Sequence, residues 1–125
     1  MPTRLSRDFV NAIADRDEAA LRALVRPDLL FRACSPLDSW ETFTRDDFVR
    51  ILFTDFFPPE CRIIAVHRLD IDVIGDMQVV GYRLEVERGG RTYLIQQQGF
   101  LEIQDEVVST ALLVGSGFHD EAKDL

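Results

Sequence analysis

Of the two histidines in the chain, His67 stands in the more informative place. It falls in an alternating run, Ile63, Ala65, His67, Leu69, Ile71 and Val73, opposite Arg62, Arg68, Asp70 and Asp72. A period of two predicts a strand, with His67 on its apolar face. Partial desolvation there disfavours the charged imidazole and favours the neutral form that a general base requires. The same placement suits a core or rim histidine hydrogen-bonded to a tyrosine better, because buried polar groups are usually just satisfied. Tyr82 and Tyr93 carry phenols that can meet a ligand or an oxyanion, or simply fill core with one hydrogen bond each. Trp40, ahead of a predicted helix, either caps a ligand or covers the edge of the core.

Other chemistries lack their residues. Cys34 and Cys61 are isolated, with no Cys-x-x-Cys spacing, and are expected to be reduced, packed thiols. His67 and His119 have no flanking acidic ligand in register, so no metal motif is read. No glycine-rich phosphate loop, Gly-x-Ser-x-Gly elbow or Cys-His arrangement is visible, and no cofactor is expected. Asp38 reads as a turn residue, and His119 as a solvated side chain near the end of the chain.

At 125 residues the chain has room for one core. Its 46% hydrophobic and 29% charged residues suit a globular domain rather than a disordered one. Fourteen basic against 22 acidic residues leave a net charge of −8, which phosphate backbones would repel. Nucleic acid is therefore not an expected partner. The first residues open no signal-peptide run, and no segment approaches the ~20 apolar residues needed to span a bilayer. A cytoplasmic domain with no membrane partner is expected.

The elements that must position these residues are legible in outline. Leu5, Phe9, Ala12 and Ile13 form one helical stripe. Asp17 can cap a second helix carrying Leu21, Leu24 and Val25, which Pro27 ends. A strand is expected over 28–35 and a loop over 36–41. Thr44 caps a third helix with Phe48, Val49, Leu52, Phe53 and Phe56 on one face, and Pro58-Pro59 stops it. Four strands then follow, with turns at Gly75-Asp76, Gly89-Gly90 and Asp105-Glu106. Residues 1–119 read as a single domain, and 120–125 as an acidic solvated tail.

This α-α-β-α-β-β-β-β order resembles the NTF2-like (SnoaL-like, ketosteroid isomerase-like) superfamily. The resemblance is carried by Leu21 through Arg32, Thr44 through Phe57 and Val107 through Phe118. Tyr82-Arg83-Leu84, Gln96-Gln97-Gln98 and Gly115-Ser116-Gly117-Phe118 look like those of short, uncharacterised members. It implies an α+β cone, a curved antiparallel sheet wrapped around three N-terminal helices with an internal pocket. The family's isomerase site can be tested by position. Its general-base Asp falls at about Ala33, its oxyanion Tyr near Phe9, and its second oxyanion donor near Gln97. Ala and Phe transfer no protons, and an offset of one, to Arg32 or Cys34, restores no base. Ketosteroid isomerase chemistry is thus not expected.

The resemblance turns Val80, Tyr82, Leu84, Tyr93, Ile95, Gln97, Thr110, Leu112 and Val114 toward the pocket. The ligand-contacting set it implies is Gln97, Tyr93, Phe9, Phe31, Trp40, Phe53, Leu84, Thr110 and Leu112. Gln97 can donate and accept, which suits a carbonyl or hydroxyl group of a ligand, or a structural network with Tyr82. Gln96, Gln98, Phe100, Leu94, Val79, Leu113 and Ala111 are expected on the outer sheet face. Family members commonly dimerise there, so a homodimer is implied. Two functions fit: a cofactor-free isomerase, cyclase or dehydratase with His67 and Tyr82 as catalytic groups, or a non-catalytic binding or dimerisation module. In both, the ligand is a small, hydrophobic, oxygenated molecule.

Overall fold

A computed structural model describes residues 3–120. Helix α1 (Arg4–Ala14) buries the expected stripe of Phe9, Ala12 and Ile13, joined by Val10. Helix α2 (Glu18–Leu24) is capped by Asp17, whose carboxylate accepts from the Ala20 N–H at 3.0 Å. Strand β1 (Val25–Cys34) begins directly after it, so Pro27 lies inside the strand rather than at the helix end. The proline's steric demand on the residue before it favours that extended backbone.

The expected loop over 36–41 is partly a strand. A turn closed by Ser35 N–H to Asp38 C=O (2.9 Å) leads into β2 (Ser39–Thr42), antiparallel to β1. Thr44 then caps α3 (Arg45–Ile51) by accepting from Asp47 N–H at 3.1 Å. The helix does not simply run on to the prolines. It widens into a π turn over Leu52–Phe56, closed by Phe57 N–H to Leu52 C=O at 2.9 Å.

Strands β3 (Arg62–Ile74), β4 (Met77–Arg88), β5 (Arg91–Gln104) and β6 (Val107–Gly115) form the expected antiparallel meander. Strand β1 joins its free side parallel to β6, giving the order β2-β1-β6-β5-β4-β3. A short β7 (His119–Asp120) pairs with β5 at Tyr93 and Leu94, beyond the stretch that β6 covers. Asp120, expected in a solvated tail, instead receives an Arg91 ion pair at 2.9 Å; residues 121–125 lie outside the described residues. The result is the α+β cone, three helices against a curved, unclosed sheet. Phe9, Phe31, Phe48, Leu52, Leu84 and Leu113 are fully buried between the layers.

Two strands present faces other than those expected. In β3 the pairing slips between Ile63 and Ala65 and again between His67 and Asp70, where Arg68 adopts a positive φ of 52°. Each bulge flips the alternation. Ile63, Val66 and Ile71 pair with the inward Val86, Leu84 and Val80, while Ala65 and His67 pair with Glu85 and Arg83 on the outside. In β6 the inward residues are Ala111 and Leu113, both fully buried, and Thr110, Leu112 and Val114 face outward. Ala111 to Val114 are all apolar, so alternation alone could not set the face.

Candidate functional site

A cavity of about 600 Å³ opens at one end of the sheet. Its floor is Ile95, Gln97 and Gly115, from β5 and β6. Phe56 and Phe57 form one wall, and the 35–40 and 116–119 segments form the rim.

The wall is held in a specific way. The π turn carries Phe56 and Phe57 to the cavity just before Pro58-Pro59 ends the helix. Arg16 donates to the carbonyls of Phe57 (2.7 Å) and Phe53 (3.2 Å), clamping the helix end, and its guanidinium lies 5.0 Å from the Phe53 ring centroid. Trp40, held on β2, packs its ring 4.4 Å from that of Phe56. On the opposite rim Gly117, at φ 77°, turns the chain so that Phe118 meets the edge of Tyr93 at 5.7 Å.

Gln97 is the polar group of the floor. It is 2% exposed, and its Oε1 accepts a 2.7 Å hydrogen bond from Tyr82 Oη. Its Nε2 has no partner among the described residues. Burial pushes the Tyr82 phenol well above its ordinary range, so it stays a donor. That bond orients the carboxamide and polarises it, strengthening Nε2 as a donor. Gly115 contributes no side chain over it; a Cβ there would sit 3.5 Å from Nε2.

Of the residues singled out in the sequence, Gln97 and Trp40 line the cavity. Tyr82 and Tyr93 stand directly behind it, against Gln97 and Phe118. Phe9, Phe31, Phe53 and Leu84 are packed in the core and contribute nothing to the lining. Thr110 and Leu112 are on the outer face, in a shallow groove with Leu30 and Phe100. His67 is also outside: its side chain is 47% exposed, and Nε2 lies 3.0 Å from Glu85 Oε1. The expectation of a histidine on the apolar face is corrected by the first bulge of β3.

Sequence reading missed Asp55, Phe57 and Phe118 as lining residues. The paired prolines after Phe57 were the available signal that the helix must end there, presenting its last aromatic residues at an open edge. His119, expected to be solvated, is exposed and also borders the mouth, its Nε2 3.1 Å from Ser116 C=O. Among the described residues no group of three or more His, Cys, Asp or Glu is placed to hold a metal ion, and no helix is long and apolar enough to cross a membrane.

No protein-family model and no curated protein matches the chain. Solved structures do. It is similar to a protein with a ketosteroid isomerase-like fold from Catenulispora acidiphila, determined in complex with trimethylamine. The two are 11% identical, with 94% of this chain and 88% of the other covered and a TM-score of 0.74. An NTF2-like protein from Burkholderia xenovorans is 13% identical, covering 91% and 88%, with a TM-score of 0.68. An LEH-like epoxide hydrolase of M. tuberculosis is 15% identical, covering 90% and 80%, with a TM-score of 0.69.

Proposed function

Starting from an NTF2-like fold, we propose that the chain binds a small hydrophobic molecule bearing an oxygen acceptor, with that oxygen seated on Gln97 Nε2. The observation carrying this reading is a carboxamide held by Tyr82 at the floor of a cavity with Trp40, Phe56, Phe57 and Phe118 around it. Nε2 borders the cavity with its donor capacity unused by the described residues, and a ligand carbonyl, ether or hydroxyl oxygen could accept from it. Apolar walls with one or two fixed polar groups are the usual make-up of a small-molecule site.

Binding without catalysis is the reading favoured. Acid–base chemistry needs a titratable group at the reacting atom. The titratable residues lining the cavity are Asp38, Asp55 and His119, all exposed and at the mouth, while His67 with its partner Glu85 is on the other side of the sheet. The test is thermal shift with a panel of apolar ketones and ethers. A ligand at a hundred times its dissociation constant adds about 2.7 kcal/mol of stability. Wild type should shift by several degrees and Gln97→Leu by much less. Equal shifts in the two proteins would remove Gln97 from the site.

The outer sheet face supports a homodimer as a second element of the proposal. Val79, Leu94, Phe100, Leu112 and the 40% exposed Val114 leave it partly apolar. Sedimentation should give a dimer for the wild type and a monomer for Phe100→Glu; a wild-type monomer would end this part of the reading.

A further inference from the structure

The charge pattern around the cavity selects among hydrophobic ligands, an inference that rests on the binding reading above. Two carboxylates, Asp38 and Asp55, line the mouth from opposite elements, the turn before β2 and the π turn. Neither has an ion-pair partner among the described residues, and none of the described lining residues is Lys or Arg. Among the described residues the Asp55 carboxylate has one side-chain neighbour within hydrogen-bond distance, the Thr54 hydroxyl at 3.2 Å, which lies closer to the Arg50 carbonyl at 2.5 Å. Arg88 lies 5.7 Å from the Phe118 ring centroid, but its charge is answered by Glu60 at 3.5 Å. His119 completes the polar rim.

An acidic mouth alone would mean little on a chain of net charge −8. Here it stands over a cavity whose floor holds Gln97, 2% exposed, with its Nε2 unpartnered. Trp40 and Phe56, packed ring against ring, add an aromatic lining that suits the hydrophobic part of a ligand. We infer that the site selects a hydrophobic amine in its cationic form, with an oxygen acceptor on Gln97 and the ammonium group at the mouth between Asp38 and Asp55. A carboxylate of the same shape is repelled there.

Three acetophenones of matched skeleton test this: 4-ethylacetophenone (neutral), 4-(aminomethyl)acetophenone (cationic) and 4-acetylphenylacetate (anionic). Binding is followed by Trp40 fluorescence and calorimetry at about pH 8. The amine is expected to bind about three- to tenfold more tightly than the neutral ketone, the span that two exposed carboxylates supply. The preference of the amine over the neutral ketone should shrink with added salt and vanish in D38N/D55N. Equal amine and neutral affinities, or a preference that survives in D38N/D55N, would overturn the inference while leaving the cavity reading intact. Tighter binding of the carboxylate would overturn it as well. Failure of wild type to bind any of the three would overturn both.

Discussion

Tyr82 Oη and Gln97 Oε1 are joined by a 2.7 Å hydrogen bond buried between neighbouring strands, on residues that face each other across the β4–β5 ladder. One end of the carboxamide is thereby fixed in the core and the other is aimed at the cavity. Tyr82→Phe should cost about 1–3 kcal/mol, because it leaves a buried acceptor unpaired. Removing both partners, in Tyr82→Phe/Gln97→Leu, should cost less than the sum of the single changes by about 1 kcal/mol. Urea unfolding of the three variants measures this; strict additivity would mean that the bond carries no coupling.

Arg16 should prove a positioning residue for the cavity wall. Its two bonds to the Phe53 and Phe57 carbonyls end the helix that presents Phe56 and Phe57. Arg16→Ala is expected to cost about 1–2 kcal/mol and to weaken ligand binding. Arg16→Lys keeps the charge but loses the planar fork, so it should restore little of either. Full recovery of binding in Arg16→Lys would show that charge alone suffices.

His67 should be dispensable for binding. Its side chain is 47% exposed and paired with Glu85 on the outer face. His67→Gln is expected to change stability by no more than about 0.5 kcal/mol and to leave ligand affinity at the wild-type value. Loss of affinity in that variant would return His67 to the site.

Cys61 should be chemically quiet in the folded protein. It is 2% exposed, and burial pushes its thiol above the ordinary range. The folded state therefore holds this proton more tightly than the unfolded chain does. Its contribution to stability is complete at neutral pH and declines above about pH 8.5, until the folded thiol itself ionises. Iodoacetamide should label the half-buried Cys34 first and Cys61 only on unfolding. Mass spectrometry of the alkylated native protein decides it: equal labelling of the two would contradict the burial.

Much of the fold is legible because it rests on local rules. Thr44 and Asp17 cap their helices as side-chain acceptors near the first N–H groups, and the aromatic face of α3 follows from spacing alone. The inward direction of Tyr82 and Gln97 comes from the family resemblance, and the strand pairing shows why it holds. Strands β4 and β5 pair in unbroken register from Met77–Glu102 to Arg88–Arg91, so alternation holds along this whole ladder.

Where the ladder breaks, sequence reading fails. The bulges at Ile64 and at Arg68–Leu69 exchange the faces of β3, and a histidine set among apolar neighbours in the sequence ends up outside. The β6 run Ala111-Leu112-Leu113-Val114 is apolar on both faces, and only packing decides that Leu113 is covered. The cavity is a tertiary product in a stricter sense. It gathers Trp40 from β2, Phe56 and Phe57 from a π turn, Gln97 from β5 and Phe118 from the segment after β6. The sequence by itself determined the element order and the helix caps, because each depends on neighbours a few residues away, while the inward Tyr82–Gln97 pair comes with the family resemblance and is kept by an uninterrupted ladder. Tertiary structure alone decided which residues surround the cavity, because one extra residue in a strand reverses every side chain beyond it and no local period records where the ends of distant elements meet.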